Sequence, residues 1–480
     1  MRLPKLLQNS AIYTIIQILQ KGISFFLLPV YTAYLTPSDY GVLGVATSIS
    51  SFLAIFITLS LGPAASRFYY RNGKDESYCR KVYGTVVATV LLLSLVIGSL
   101  CLIFHSYVLD PLTGEIAFYP FMFLAILHTI VTPLYTLYQD YLKSLQNGLQ
   151  FGINSLSNFV LNVVLIVVAL TVFHLGVVGV LLANLITAII FFIYVAVTYL
   201  KKIDFRIDRP LLKQCLGYSL PLLPHMLANW SNGMIDRLLV NGLRTSADAG
   251  LYNLGQQYGG LINQLAIGVN SAFTPWFYEK VNDGEKSRGI ISKVSELVVF
   301  ITTLLAVVMT LFSKEVLDLM TSNPAYSDVW KIIPLITGAY VFQCVYFFFI
   351  QTLFLENTKV IFTVTVVTVV VNVVLNIIFI PAWGFYGCAL ACFATYFTKS
   401  VMAVIVSRIK KCNHYFNWRV QYTIAFLGLG TCMLSWVDFH LPIVGTIAVK
   451  MVIVGAYALL IYLRYKNTIN EFLKTVKTKK

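Results

Sequence analysis

His225, Asn229, Asn232 and Asp236 recur at i, i+4, i+7 and i+11 of an otherwise apolar segment. That spacing lays all four down one face of a helix. Arg237 follows about 100° round the same helix, and its planar guanidinium matches the geometry of a phosphate. Such a stripe is a surface for holding a polar, anionic head group. Its other use is a neutral Asp236–Arg237 pair linking neighbouring helices, although adjacent helical residues point apart and each would need a further partner.

Other residues offer related chemistry. Lys21 shares a helical face with Thr14, Gln17 and Ser24. A lysine at the bilayer centre costs roughly 2.5–3.5 kcal/mol, so it should face a wet cavity. The plainer alternative is a structural cation hydrogen-bonded to Gln17 and backbone. Gln256, Gly260, Asn263 and Asn270 share another face, with Gln257 and Gln264 beside it. These amides could bind sugar hydroxyls or serve as interhelical glue. Lys399 and Lys450 each stand about nine residues from the end of an apolar segment and could partly snorkel. Lys399 is the stronger cavity candidate. The Asn154/Asn158/Asn162 ladder and its echo Asn372/Asn376 read as helix packing. Asp140 and Glu356 fall near helix ends. The first half holds no unpaired carboxylate at depth; the charges there are mainly cations, and a cation exporter would want the opposite.

The elements that carry these residues are membrane helices. The chain has 480 residues, of which 58% are hydrophobic and only 11% charged, where a soluble chain carries roughly 25% charge. Mean hydropathy is +0.78. Apolar runs of about 20 residues are long enough to cross hydrocarbon as helices. Fourteen are predicted, at about 10–35, 40–62, 82–105, 117–138, 151–172, 176–200, 216–243, 250–277, 291–312, 332–354, 359–380, 384–407, 420–437 and 443–463. No GxxxxGK[ST] phosphate loop occurs, and no attached nucleotide-hydrolysing domain is expected.

The net charge is +15. With the N-terminus inside, 28 lysines and arginines fall on inner segments, three on outer ones and four within spans. This positive-inside asymmetry puts both termini in the cytoplasm and explains the basic balance without nucleic acid. Arg2 and Lys5 mimic a secretion signal, but the apolar segment after them is too long, is interrupted by Gln17, Gln20 and Lys21, and shows no cleavage site. It is expected to stay as helix 1. The eight cysteines are scattered without metal-ligand spacing and read as buried apolar residues. No metal or cofactor is expected.

The chain repeats itself. Thr36-Pro37-Ser38-Asp39-Tyr40-Gly41 aligns with Thr245-Ser246-Ala247-Asp248-Ala249-Gly250 at an offset of 209. The same offset pairs Phe68-Tyr69 with Phe277-Tyr278. Asn158 to Asn162 matches Asn372 to Asn376, and Gly176-x-x-Gly179 matches Gly384-x-x-Gly387. Six helices per copy make parallel repeats about an axis along the membrane normal. The expected architecture is all-α: helices 1–6 form a bundle over 1–200, a cytoplasmic linker covers 201–213, and helices 7–12 form a second bundle over 214–409. An additional helix pair and a basic tail cover 410–480. Two such bundles around a midplane cleft suit rocking between inward-open and outward-open states.

This architecture, with Asp39-Tyr40-Gly41, Asp236-Arg237 and Asp248-Ala249-Gly250-Leu251-Tyr252 in these places, resembles the Wzx-type polysaccharide-biosynthesis flippases that handle O-antigen or capsule repeat units. They belong to the multidrug/oligosaccharidyl-lipid/polysaccharide (MOP) exporter superfamily. The resemblance covers nearly the whole chain. It implies a transporter, not an enzyme, in the bacterial cytoplasmic membrane. The cargo would be an undecaprenyl-diphosphate-linked oligosaccharide, moved from the cytoplasmic to the outer leaflet. A polysaccharide polymerase and a chain-length regulator are the implied protein partners, and H+ or Na+ the implied coupling ion. Relatives hold the diphosphate with cleft cations, for which Lys21 and Arg237 are the best positional matches, with Lys399 behind them. Gln17, Asn229, Asn232, Asp236, Gln256 and Asn263 complete the expected substrate surface. The extra helix pair also resembles the lipid II flippase, but fewer cleft arginines argue against that cargo. The rivals are an ion-coupled multidrug/cation antiporter of the same superfamily, a membrane enzyme, and a scaffold. The longest outer loops, 106–116 and 313–331, carry no evident acid/base pair for the second.

Overall fold

The computed structural model describes residues 16, 19–20, 22, 25 and 27–478, apart from 72–74, 282–286, 357, 411, 413–414 and 439. Among these residues there are sixteen α-helices of seven residues or more and no strand. They divide into two compact units, residues 1–253 and 254–480.

The first unit holds α1 (Leu28–Tyr34), α2 (Pro37–Thr58), α3 (Leu61–Arg71), α4 (Glu76–Ile103), α5 (Phe123–Ser144), α6 (Gly148–Thr171), α7 (Gly176–Tyr199), α8 (Arg209–Ser219) and α9 (Leu223–Leu243). Helix α10 (Ser246–Val281) begins in it and continues into the second unit, where α11 (Arg288–Leu311), α12 (Ser313–Met320), α13 (Ile333–Glu356), α14 (Thr358–Ile409), α15 (Trp418–Met433) and α16 (Ile443–Thr478) follow.

The repeated motifs have structural explanations. Thr36 and Asp39 form a capping box on α2: the Asp39 amide donates to Thr36 Oγ1 at 3.2 Å, and the Thr36 amide donates to Asp39 Oδ2 at 2.9 Å. Each satisfies a donor the helix start leaves free. At the start of α10 the Asp248 amide likewise donates to Thr245 Oγ1, at 3.1 Å. Two residues on, Gly41 leaves no room for a Cβ against the Ser246 carbonyl, and Gly250 leaves none against the Pro37 carbonyl. The two copies of the motif therefore lie against each other, reciprocally, inside the first unit. The Gly-x-x-Gly pair also has one cause. Gly176 and Gly384 sit at φ +55° and +56°, a left-handed backbone that glycine adopts without strain. Gly179 then packs closely on Ala169 of α6, and Gly387 on the Phe379 carbonyl before the kink of α14.

Nine helical stretches among the described residues are long and apolar enough to cross a membrane. The chain is a multi-pass membrane protein. One of the nine, Val360–Ile409, is kinked at Gly384 and contains two predicted spans. The predicted span at 10–35 lies largely outside the described residues. Helices α9 and α10 are not among the nine, because their polar stripes lower the mean hydropathy. Helix α15 is 16 residues long, short of a full crossing.

Pro221 and Pro224 lack backbone donors, and the helix breaks beside them. Helix α8 stops at Ser219, a 3-10 turn covers Leu220–Leu222, and α9 restarts at Leu223. The linker before α8 is not a loose tether. Arg206 and Asp208 close on Thr85 Oγ1 at 3.1 and 3.2 Å. The Asp204 amide donates to the Arg80 carbonyl at 3.2 Å, and Gly84 gives the strand of chain its room. In the second unit the last two helices dock on α11 through side chains. Gln421 donates to Ser295 and Tyr465 to Glu296, each at 2.9 Å, while Lys450 pairs with Glu315 of α12.

Candidate functional site

Lys21 and Gln17 lie outside the described residues. The remaining expected site residues fall into two groups, one in each unit.

In the first unit, α9 packs on α2. Trp230 Nε1 donates to the Ser48 carbonyl at 3.0 Å, Ser48 Oγ donates to the Met234 carbonyl at 3.2 Å, and Arg237 lies against Gly44. Asp236 points elsewhere. It is 3% exposed and accepts a 2.7 Å hydrogen bond from Tyr252. Asp236 and Arg237 form no ion pair, as their adjacency on a helix requires. Arg237 is half-buried, donates weakly to the Gly233 carbonyl at 3.4 Å, and keeps a buried Nε without a partner. Among the described residues no carboxylate neutralises it. Asn232 is buried; Asn229 is exposed and donates to His225 Nε2 at 3.0 Å.

In the second unit, Lys399 is 7% exposed and has no carboxylate or hydrogen-bond partner among the described residues. Its ammonium lies 4.4 Å from the Tyr346 ring centroid and 5.6 Å from that of Tyr396. A desolvated cation–π contact gives about 2 kcal/mol, against a cost of roughly 2.5–3.5 kcal/mol for a lysine at membrane depth. The cage offsets most of the burial and leaves the charge available to an anion. Tyr396 packs on Tyr340 with centroids 5.5 Å apart. Tyr340 donates to Gln256 Oε1, whose amide donates to Cys392 at 3.4 Å. Lys399 and Gln256, read separately in the sequence, thus belong to one cluster. Helices α10 and α13 run in the same direction, because Gln256 meets Tyr340 and Asn270 meets Gln351. Asn263 falls between Gln256 and Asn270 along α10, with its Oδ1 buried and unpartnered. Asn270 is interhelical glue: Gln351 donates to it at 3.3 Å and to Thr274 at 3.0 Å. Lys450 is held by Glu315 and is structural. The three tyrosines were missed, although Tyr396 stands one turn from Lys399 in the sequence.

Also missed is a cavity of about 760 Å³ inside the first unit. Helices α2, α5, α6 and α7 line it, with Met226 of α9. His128, Thr132, Asn158, Asn162 and Asn184 reach it, alongside the rings of Tyr135 and Phe191. Among the described residues no lysine, arginine or carboxylate does. Two members of the asparagine ladder assigned to packing thus face a cavity, and Asn162 also donates to Asn184 at 2.8 Å.

Comparison with known proteins agrees with this architecture. Residues 6–281 match the family described as polysaccharide biosynthesis protein, and residues 221–378 match the MatE family. An Lsg locus protein of Haemophilus influenzae is 27% identical over 281 residues, 57% of this chain and 66% of that protein. The chain thus matches just under two thirds of that relative's length. Among solved structures, the lipid II flippase MurJ in an inward closed conformation aligns with a TM-score of 0.72 at 15% identity. That alignment covers 95% of this chain and 99% of the other. An inward-facing multidrug resistance MATE family transporter of the MOP superfamily aligns with a TM-score of 0.57 at 17% identity, over 81% and 94% of the two chains. At these identities the likeness is one of fold. With more than half of its length matching the family, the chain belongs to the polysaccharide biosynthesis protein family.

Proposed function

We propose that this protein is a flippase. It moves an undecaprenyl-diphosphate-linked oligosaccharide repeat unit from the cytoplasmic to the outer leaflet of a bacterial cytoplasmic membrane, for surface polysaccharide synthesis. The observation that carries the reading is the pair of membrane-embedded cations without a carboxylate partner among the described residues, Arg237 and Lys399. An acceptor-only diphosphate is the ligand such cations fit. Lys21 joins them in this reading. Gln17, Asn229, Asn232, Asp236, Gln256 and Asn263 supply polar contacts around the head group.

In this reading the chain crosses the membrane fourteen times with both termini cytoplasmic. Parallel six-helix repeats over 1–200 and 214–409, joined by 201–213 and followed by the pair in 410–480, rock in alternating access. The polyprenyl tail stays in lipid. The drive is an ion gradient, the membrane potential or removal of product outside. Flipping that persists with both gradients collapsed and product removal blocked excludes all three. A polymerase and a chain-length regulator would take the product onward.

The test is exposure of the glycan on the far leaflet of reconstituted vesicles, using cargo from the native host. Wild type transports; Lys21→Ala, Arg237→Ala and Lys399→Ala do not, with folding intact. Transport surviving all three substitutions removes the site. Wild type that fails on this cargo yet exports organic cations moves the assignment to an antiporter.

A further inference from the structure

We infer that the cavity of the first unit is a glycan-recognition site whose surface selects hydrogen-bond donors, so that it reads the sugars of the cargo and not its diphosphate. This rests on the flippase reading above and goes beyond it by naming which part of the cargo the cavity takes.

The argument is a count of donors and acceptors. A serine or threonine hydroxyl has one proton and two lone pairs. Thr47, Ser51, Thr58, Thr129, Thr132 and Thr187 line the cavity. Each spends its proton on the carbonyl four residues before it, at 2.7–2.8 Å. Their remaining capacity is acceptor only. Tyr135 gives its proton to the Asn154 carbonyl at 3.2 Å. Asn162 turns its amide nitrogen to Asn184 Oδ1 and to Thr187, which leaves the Asn162 carbonyl oxygen as an acceptor and the Asn184 amide nitrogen as a donor. Thr132 Oγ1 also lies 3.2 Å from His128 Nε2. Since the threonine proton is committed, the imidazole nitrogen is the donor in that contact.

A wall on which acceptors outnumber donors, with no lysine or arginine among the described residues, disfavours a phosphate, which brings only acceptors and negative charge. It welcomes a ligand rich in donors. Two classes qualify, polyols and ammonium cations. Without a carboxylate on the wall among the described residues, a cation would be buried there uncompensated, at a cost of several kcal/mol. A neutral polyol carries no such penalty. The apolar part of the lining fits the same ligand. Tyr135 and Phe191 contact each other edge to face, with centroids 5.3 Å apart, and offer surfaces for the C–H faces of pyranose rings. The volume lies within the range of small-molecule sites.

The division of labour is testable with two tail-matched probes, undecaprenyl diphosphate and the undecaprenyl-diphosphate-linked oligosaccharide of the native host. Binding of each to the full chain in nanodiscs is read by native mass spectrometry. Wild type should prefer the glycan-bearing probe by about tenfold or more, the worth of one or two good hydrogen bonds. The isosteric double substitution Thr47→Val with Thr132→Val should erase most of that preference and leave the bare diphosphate probe bound as before. Thr47→Ser with Thr132→Ser, which restores the acceptors, should restore the preference and controls for folding. An unchanged preference in the valine variant overturns the inference while the flippase reading stands. So does equal binding of the two probes by wild type. Binding of neither probe overturns both. Ethidium bound by wild type and lost in the valine variant overturns the inference in favour of a cation site.

Discussion

The two units solve opposite electrostatic problems with parts of the same repeated plan. In the second, a full positive charge on Lys399 is buried and made tolerable by the faces of Tyr346 and Tyr396. In the first, the cavity carries no formal lysine, arginine or carboxylate charge among the described residues, only hydroxyls, amides and a histidine. The residues that match between the copies are those that build: caps at Thr36 and Thr245, close-packed Gly41 and Gly250, left-handed Gly176 and Gly384. Among the residues that could bind, Asn158 and Asn162 of the cavity match Asn372 and Asn376. The joints are shared, while the Lys399 cage and the uncharged cavity divide the chemistry.

The largest test of that division is Lys399→Glu. Reversing a buried charge that meets an anion should lower flipping about 100-fold or more, the scale of a desolvated charge contact. Lys399→Met should lose transport as well, yet leave the melting temperature unchanged or raised, because an apolar side chain of similar length removes an unpaired buried charge. Thermal unfolding followed beside vesicle transport checks both. If Lys399→Met transports normally, the contrast between the units fails.

The shared joints should respond in pairs. Gly41→Val and Gly250→Val each push a side chain into backbone, and each should cost roughly 1–3 kcal/mol by overpacking. The two losses in melting temperature should be similar, since both side chains enter the same crossing. Gly176→Ala and Gly384→Ala force a left-handed backbone on a residue with a Cβ and should cost about 1–2 kcal/mol each. Smaller still, Thr36→Ala and Thr245→Ala should each cost about 1 kcal/mol through loss of a helix cap. Unequal members of any pair would mean that the copies have diverged in structure as well as in chemistry.

How much of this was legible in the chain follows from what a linear pattern records. Hydropathy marks α4 to α7 and α11 plainly because those helices are apolar throughout. It marks α9 and α10 less plainly, because the same polar residues that could bind lower their average. The break at Pro221 could be read, since proline acts on its own backbone. So could the separate importance of Lys399 and Gln256, but not their meeting through Tyr340 and Tyr396, which requires three helices to be placed. The cavity was hidden for another reason. Threonine in a membrane helix usually bonds its own backbone, and Thr47 and Thr132 do so here. Only their position on a shared wall gives the leftover lone pairs a use.

Gly41 touches the carbonyl of Ser246, and Gly250 touches the carbonyl of Pro37, the equivalent residue of the other copy. This is the form of an isologous contact, the kind a two-fold homodimer makes with itself. Contained within one polypeptide, it ties two codons to a single constraint. A change that enlarges either glycine spoils the same patch of backbone, so neither copy of the motif can drift independently of its twin.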